Sequence, residues 1–150
     1  LIREAVANFS GLPHRMEWLA SVNGVDWIND SKGTNVGATV AAIQGLNRPV
    51  VLIAGGIAKD ADFSPLREVA GQHVKAVILI GRDAGKIAAA LTGEVPVDIA
   101  GNMDDAVRMG AEMAQAGDVV LLSPACASFD MYQNFEHRGD DFRRCVGGLI

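Results

Sequence analysis

Residues 25–46 read Val-Asp-Trp-Ile-Asn-Asp-Ser-Lys-Gly-Thr-Asn-Val-Gly-Ala-Thr-Val-Ala-Ala-Ile-Gln-Gly-Leu. The apolar run Val25-Asp26-Trp27-Ile28 predicts a strand, and Val36 to Leu46 predicts a helix. Between them, Asp30-Ser31-Lys32-Gly33-Thr34-Asn35 places a cluster of polar groups at the strand's carboxyl end. In open α/β sheets ligands bind there. The following helix turns its free N–H groups to the same spot and favours anions. Lys32 adds a mobile positive charge, and Thr34 suits a helix N-cap. A plain capped turn with a solvated lysine explains the same residues, because any βα turn needs a cap.

Working outward, strand and helix signals alternate. Upstream, Met16 to Val22 and Val25 to Ile28 flank Asn23-Gly24, a hairpin signal whose two turn positions tolerate positive φ. Residues 1–9 read as the end of a helix, closed by Ser10-Gly11 and Pro13. Downstream, Val50 to Ala54, Val74 to Ile80 and Asp118 to Leu122 are apolar almost throughout, as strands covered on both faces are. Val95 to Ile99 is a weaker strand. Helices are predicted from Ser64-Pro65, with Ser64 as N-cap, over Ala84–Leu91, Asp104–Gln115 and Gly139–Leu149. The alternation predicts an α/β fold: one Rossmann-like, mostly parallel sheet with helices on both faces and an antiparallel edge hairpin.

Bulk properties narrow the function. At 150 residues the chain suits one domain. A net charge of −5 gives no global basic field for nucleic acid or anionic lipid, so an anionic ligand must be held by a few local cations. No apolar run approaches the length of a membrane span, and no signal segment opens the chain. Cys126 and Cys145 form neither a metal pattern nor a disulfide framework. The chain begins Leu1-Ile2-Arg3, without Met, which suggests a piece of a longer protein.

Each strand's exit carries chemistry: Asn29, Asp30, Lys32 and Thr34; then Gly55, Gly56, Lys59 and Asp60; then Arg82 and Asp83; then Ser123, Cys126 and Ser128. In a parallel sheet these line one edge and suit a ligand with carboxylate or phosphate groups. Gly81-Arg82-Asp83-Ala84-Gly85-Lys86 only partly resembles a phosphate loop. Three residues, not four, separate its glycines, and Ile87 stands where Ser or Thr would meet magnesium. No dinucleotide fingerprint is present. Cys126 has no histidine near it in sequence and reads as a small buried residue, and His137 as a surface residue. Phe129, Tyr132 and Phe135 read first as packing onto the sheet, and second as an apolar wall or backbone donors beside the crevice.

Five segments together resemble the C-terminal domain of the Mur ligases. They are Gly11-Leu12-Pro13-His14-Arg15, Trp27 to Asn35, Ala61-Asp62-Phe63-Ser64-Pro65-Leu66, Leu121 to Asp130, and Asn134-Phe135-Glu136-His137-Arg138-Gly139. The Asp-Ser-Lys-x-Thr-Asn block is similar to the D-glutamate-adding branch. Sister Mur ligases and folylpolyglutamate synthetases usually carry Asp-Tyr-Ala-His or Asp-Gly-Ala-His-Asn-Pro types of block there.

The resemblance implies residues 1–10 as the tail of a preceding central domain or linker and 11–150 as the C-terminal domain. It implies a cytoplasmic step of peptidoglycan synthesis. ATP phosphorylates the carboxylate of UDP-N-acetylmuramoyl-L-alanine, and the amine of D-glutamate displaces phosphate to form an amide. It implies ATP contacts at Arg15, Asp30 and Lys32, with Lys32 supporting the phosphates or ordering its loop. D-glutamate contacts fall on Thr34, Lys59 and Ser128, joined by backbone N–H groups of Phe129 and Phe135. No catalytic residue and no metal ligand is implied here; the ligands for Mg2+ fall in other domains. The chain alone is expected to be inactive and monomeric, without nucleic-acid or membrane partners. The alternatives are a sister Mur or folylpolyglutamate-type ligase, and a non-enzymatic amino-acid or nucleotide binding module. The usual pattern has Ala at Gly33, Leu at Phe129, and Gly-Gly-Asp-Gly-Lys around Lys59. Gly33 is therefore expected to loosen its turn.

Overall fold

A computed structural model describes residues 12–150, so the expected helix end at 1–9 and the linker assignment lie outside the described residues. The described residues form six strands and five helices: β1 (Glu17–Val22), β2 (Val25–Asn29), α1 (Val36–Leu46), β3 (Val50–Gly55), α2 (Ser64–His73), β4 (Val74–Ile80), α3 (Ala84–Leu91), β5 (Val97–Ile99), α4 (Met103–Met113), β6 (Val119–Leu122) and α5 (Phe135–Gly147). The strands make one sheet in the order β1-β2-β6-β3-β4-β5. Every neighbouring pair is parallel except β1 with β2. The tight turn between those two is Asn23-Gly24, both at positive φ (53° and 81°), as the dipeptide predicts.

Alternation along the strands divides the core in two. Ile28, Leu52, Val77, Leu79 and Leu121 point to one face, where Ile43 of α1, Leu66 of α2 and Ile87 of α3 cover them. Trp27, Val51, Ile53, Ile78 and Val120 point to the other face, against Val107 of α4 and Phe142 of α5. Central strands β3 and β6 are buried at every residue, which explains their unbroken apolar runs. Among the described residues no helix is long and apolar enough to cross a membrane.

The starts of α1 at Val36 and α3 at Ala84 are as the sequence predicts, but the caps and the other starts depart from it. Asn35, not Thr34, caps α1, its side chain accepting from Ala38 N at 2.8 Å. Ser64 is inside α2; Phe63 holds the cap position, and Asp62 accepts Ser64 N–H at 2.9 Å. Asn102 caps α4 at Asp105 N, so that helix begins at Met103 and ends at Met113. Strand β5 is only Val97–Ile99, because Pro96 has no N–H for the ladder, although its carbonyl accepts from Val77 N.

The largest difference is α5, which begins at Phe135, four residues before the expected Gly139, with Asn134 as its cap. Gly139 is no helix start. It sits on the buried face of α5 against the His14 imidazole and the Asn29 amide, where an added Cβ would occupy the imidazole's space. Helix propensity alone makes alanine better than glycine by about 1 kcal/mol. Packing demands the reverse here. Gly139→Ala should destabilise the chain by about 1–3 kcal/mol, the usual cost of overpacking. Urea unfolding checks it, and equal or greater stability would contradict this account of the helix start.

Candidate functional site

The loop after β2 is held from below by a buried cation. Arg138, only 1% exposed, reaches from α5 and makes three bonds. Its Nη2 donates to the Ser31 carbonyl at 2.7 Å, Nε to Ser31 Oγ at 3.0 Å and Nη1 to the Cys126 carbonyl at 3.0 Å. Ser31 Oγ donates in turn to the Phe135 carbonyl at 2.6 Å. One guanidinium thus fastens the 30–35 loop, the loop after β6 and the first turn of α5. Burial pushes Arg138 down to about 10, which still leaves it charged near neutrality. The same loop is tied to the loop after β6 by Ala125 N–H donating to Gly33 O at 2.8 Å.

The sequence reading assigned Arg138 no role, although a signal was present. Arg138 precedes Phe142 by four and Cys145 by seven, so it lies on the buried stripe of α5. His14 was equally unassigned. It is buried, its Nδ1 3.0 Å from Asn29 Nδ2, and its carbonyl accepts from Lys32 N.

Asp30 is the buried carboxylate of the loop. One oxygen accepts from Met16 N at 3.1 Å and the other from Ser123 Oγ at 2.8 Å. Burial raises its pKa, opposed by those two hydrogen bonds and by the charge of Arg15. Gly33 sits in a closely packed part of this turn. A Cβ there would lie 2.5 Å from Ser123 Oγ and 2.8 Å from Asp30 Oδ2. Glycine is what lets the Asp30–Ser123 bond close.

Arg15, Asp30 and Lys32 come together at one end of a 550 Å³ cavity. The rest of its lining is mostly apolar, from Met16 and from Ala38, Ala42 and Leu46 of α1, with Arg48 adding a further cation. The size and the mix of apolar and cationic lining suit a ligand with an apolar part and an anionic part. Lys32 Nζ stands 5.8 Å from the centre of the Phe135 ring, which orders an otherwise exposed side chain.

Thr34 and Lys59 share a second depression of 410 Å³, lined also by Asp60, Asp62, Ala125 and Ala127. Both side chains are exposed. Ile57 and Ala127 exchange backbone bonds of 3.0 and 3.3 Å, so the Lys59 loop and the Ser128 loop are joined. Ser128 itself is buried just behind Ala127 and does not line the depression. Phe129 is 70% exposed and faces a different hollow, beside Arg82 and Met131. It is therefore not core packing, which was the first reading for the aromatics. Tyr132 is half-buried and tied to Asp141 at 2.6 Å. Phe135 is half-buried between Lys32 and His14. As the first residue of α5, its N–H is among those with no partner within the helix. The five residues expected at one ligand are thus spread over neighbouring surfaces, with only Thr34 and Lys59 in one depression.

Other motifs take their places. Cys126 is buried and its thiol is pushed up to about 12 by burial, so it offers no thiolate. His137 is exposed, stacked edge-on against Tyr132. In the partial phosphate loop, the Asp83 carboxylate accepts the Ala58 N–H at 2.8 Å. Among the described residues no group of three or more His, Cys, Asp or Glu is placed to hold a metal ion.

Comparison with known proteins adds identity to this geometry. The profile of the Mur ligase, glutamate ligase domain matches residues 14–126. The UDP-N-acetylmuramoylalanine--D-glutamate ligase of Nitrosococcus oceani is 58% identical over 148 residues, covering 97% of this chain and 33% of that protein. The ligase of the same name from Pseudomonas putida is 53% identical over 150 residues, with the same coverage of 97% and 33%. This chain thus spans about a third of the length of the curated relatives it matches. Two solved structures share the fold. The UDP-N-acetylmuramate-alanine ligase MurC of Thermotoga maritima has a TM-score of 0.63 at 14% identity, over 98% of this chain and 33% of that one. The bifunctional folylpolyglutamate synthase/dihydrofolate synthase of Yersinia pestis, complexed with AMPPNP and a Mn ion, has a TM-score of 0.60 at 19% identity, over 93% and 32%. The α/β sheet, its edge hairpin and the profile match agree: this chain belongs to the Mur ligase family, through its glutamate ligase domain.

Proposed function

We propose that this chain is the C-terminal domain of an ATP-dependent ligase that joins D-glutamate to UDP-N-acetylmuramoyl-L-alanine, in the cytoplasm. The observation that carries the reading is the double-sided loop 30–34. Asp30 and Lys32 line the larger cavity, and Thr34 lines the depression with Lys59. A ligase that makes an acyl phosphate and then admits an amine needs nucleotide and amino acid held side by side. Adjacent residues of one pinned loop do that. The 51–58% identity to D-glutamate ligases, against 14–19% to the sister ligases, favours D-glutamate as the amino acid.

In this reading Arg15 and Lys32 hold the phosphates of ATP, and Asp30 accepts from the nucleoside. Arginine suits the phosphate because its planar fork makes paired bonds. Thr34 and Lys59 hold a carboxylate of D-glutamate, with Ser128 and the backbone N–H groups of Phe129 and Phe135 completing the set. A dicarboxylate leaving water needs several charge-assisted donors to offset its desolvation. Nothing here acts as a general base. The work is orientation, worth as much as any chemical group in a two-substrate condensation. Mg2+ would be held by residues outside this chain. The domain would act as a monomer and be silent alone.

Two substitutions in the full-length ligase separate the two ligands. Lys59→Ala should raise the KM for D-glutamate about 10- to 100-fold, the value of one charge-assisted bond, and leave the KM for ATP unchanged. Arg15→Ala should do the reverse. Steady-state kinetics with each substrate varied checks both, and wild-type KM values for the assigned ligand would refute that assignment.

A further inference from the structure

We propose that Asp83 is a positioning residue for the amino-acid substrate: its carboxylate sets the loop that presents Lys59, and its tripeptide ties that loop to the one carrying Ser128. The inference rests on the D-glutamate reading of Lys59 and Ser128 above. Asp83 lies inside the partial phosphate-loop motif and stands at the N-cap position of α3, yet its side chain makes no capping bond. It turns away from its own helix. Oδ2 accepts the Ala58 N–H at 2.8 Å, and the Asp83 N–H donates to the Gly56 carbonyl at 3.0 Å. These two bonds straddle Ile57, the residue that bridges to Ala127.

Lys59 needs such a clamp. Its φ is 49°, a left-handed conformation that costs a non-glycine residue stability. The turn beneath it is closed by Ala61 N–H donating to the Ala58 carbonyl at 3.1 Å. Ala58 is therefore held on both sides, by Asp83 at its N–H and by Ala61 at its carbonyl, and Lys59 rides on the result. Neighbouring cations keep Asp83 a strong acceptor: Arg82 Nη2 lies 3.4 Å and Lys86 Nζ 3.7 Å from its oxygens. The Ala58 bond, then Arg82, hold its carboxyl below the ordinary range.

The same tripeptide reaches the other loop. Arg82 N–H donates to Asp130 Oδ2 at 2.7 Å, two residues past Ser128. Gly81 permits this approach, since a Cβ on it would lie 2.8 Å from the Gly56 backbone and 2.7 Å from Asp130. Gly81-Arg82-Asp83 thus fixes both candidate amino-acid loops, while Asp83 lines neither the depression nor the larger cavity.

The test uses the full-length ligase with Asp83→Ala, Asp83→Asn and Lys59→Ala side by side. Asp83→Ala should raise the KM for D-glutamate about 10-fold, leaving the KM for ATP unchanged. Asp83→Asn, whose amide oxygen can still accept the Ala58 N–H, should recover most of the loss and differ from wild type by roughly 2- to 5-fold. If Asp83→Ala fails to fold, Asp83→Asn alone carries the test, and an unchanged D-glutamate KM then overturns the proposal. Equal rises in both KM values, or an Asn variant no better than the Ala variant, would show a general loosening and also overturn it. If Lys59→Ala raises the D-glutamate KM and Asp83→Ala does not, only the positioning role falls. If Lys59→Ala itself is unchanged, the amino-acid reading falls and takes the proposal with it.

Discussion

A single buried guanidinium organises the binding edge of this domain. Arg138 leaves water almost completely and, among the described residues, pairs with no carboxylate in return; its acceptors there are two carbonyls and one hydroxyl. Burying a charge is costly unless its hydrogen bonds are made, and three short bonds make them. What that arrangement delivers is register. Ser31 and Cys126 belong to loops that leave adjacent strands, β2 and β6, and Arg138 belongs to the helix that covers them. A lysine could carry the charge but not the planar fork that reaches both loops at once.

Rigidity beneath allows exposure above. The 30–35 loop has its backbone tied down by Arg138, by the His14 carbonyl and by Ala125, so Lys32 and Thr34 stand out from a fixed base. The Lys59 and Ser128 loops are stitched to each other through Ile57 and Ala127. Side chains that project from such loops lose little further freedom on meeting a ligand, which is how preorganisation helps affinity. The exposed Phe129, standing outside both depressions, is apolar surface that nothing in the described residues covers.

The fold was legible in the sequence because its signals are local and repeated. Apolar runs, broken only by Lys75 in β4, marked β3, β4 and β6, and Asn-Gly marked the edge hairpin. The bounds of α1 and α3 were read as observed, while the other three helix starts were read one to four residues off, and caps were misplaced where several polar residues run together: Asn35 took the place expected of Thr34. Gly139 misled because glycine usually punctuates helices, whereas here it makes room for His14. Of the cavity's charged residues, Asp30 and Lys32 were legible from a strand end, whereas Arg15 was reached only through the family resemblance. The bonds that hold the loops were not, because Arg138 to Ser31 and Asp83 to Ala58 span 107 and 25 residues. Nothing local in sequence announces them except the buried stripe of α5 on which Arg138 lies.

Amide hydrogen exchange on the Arg138→Lys chain tests the central claim most directly. The substitution keeps the charge and the apolar stem and removes the fork. The account predicts that the amides of Lys32, Gly33 and Ala125, bonded to His14, Asp30 and Gly33 carbonyls, lose protection together, while those of β3 and β4 keep theirs. A folded variant in which these loop amides stay as protected as in the wild type would contradict it.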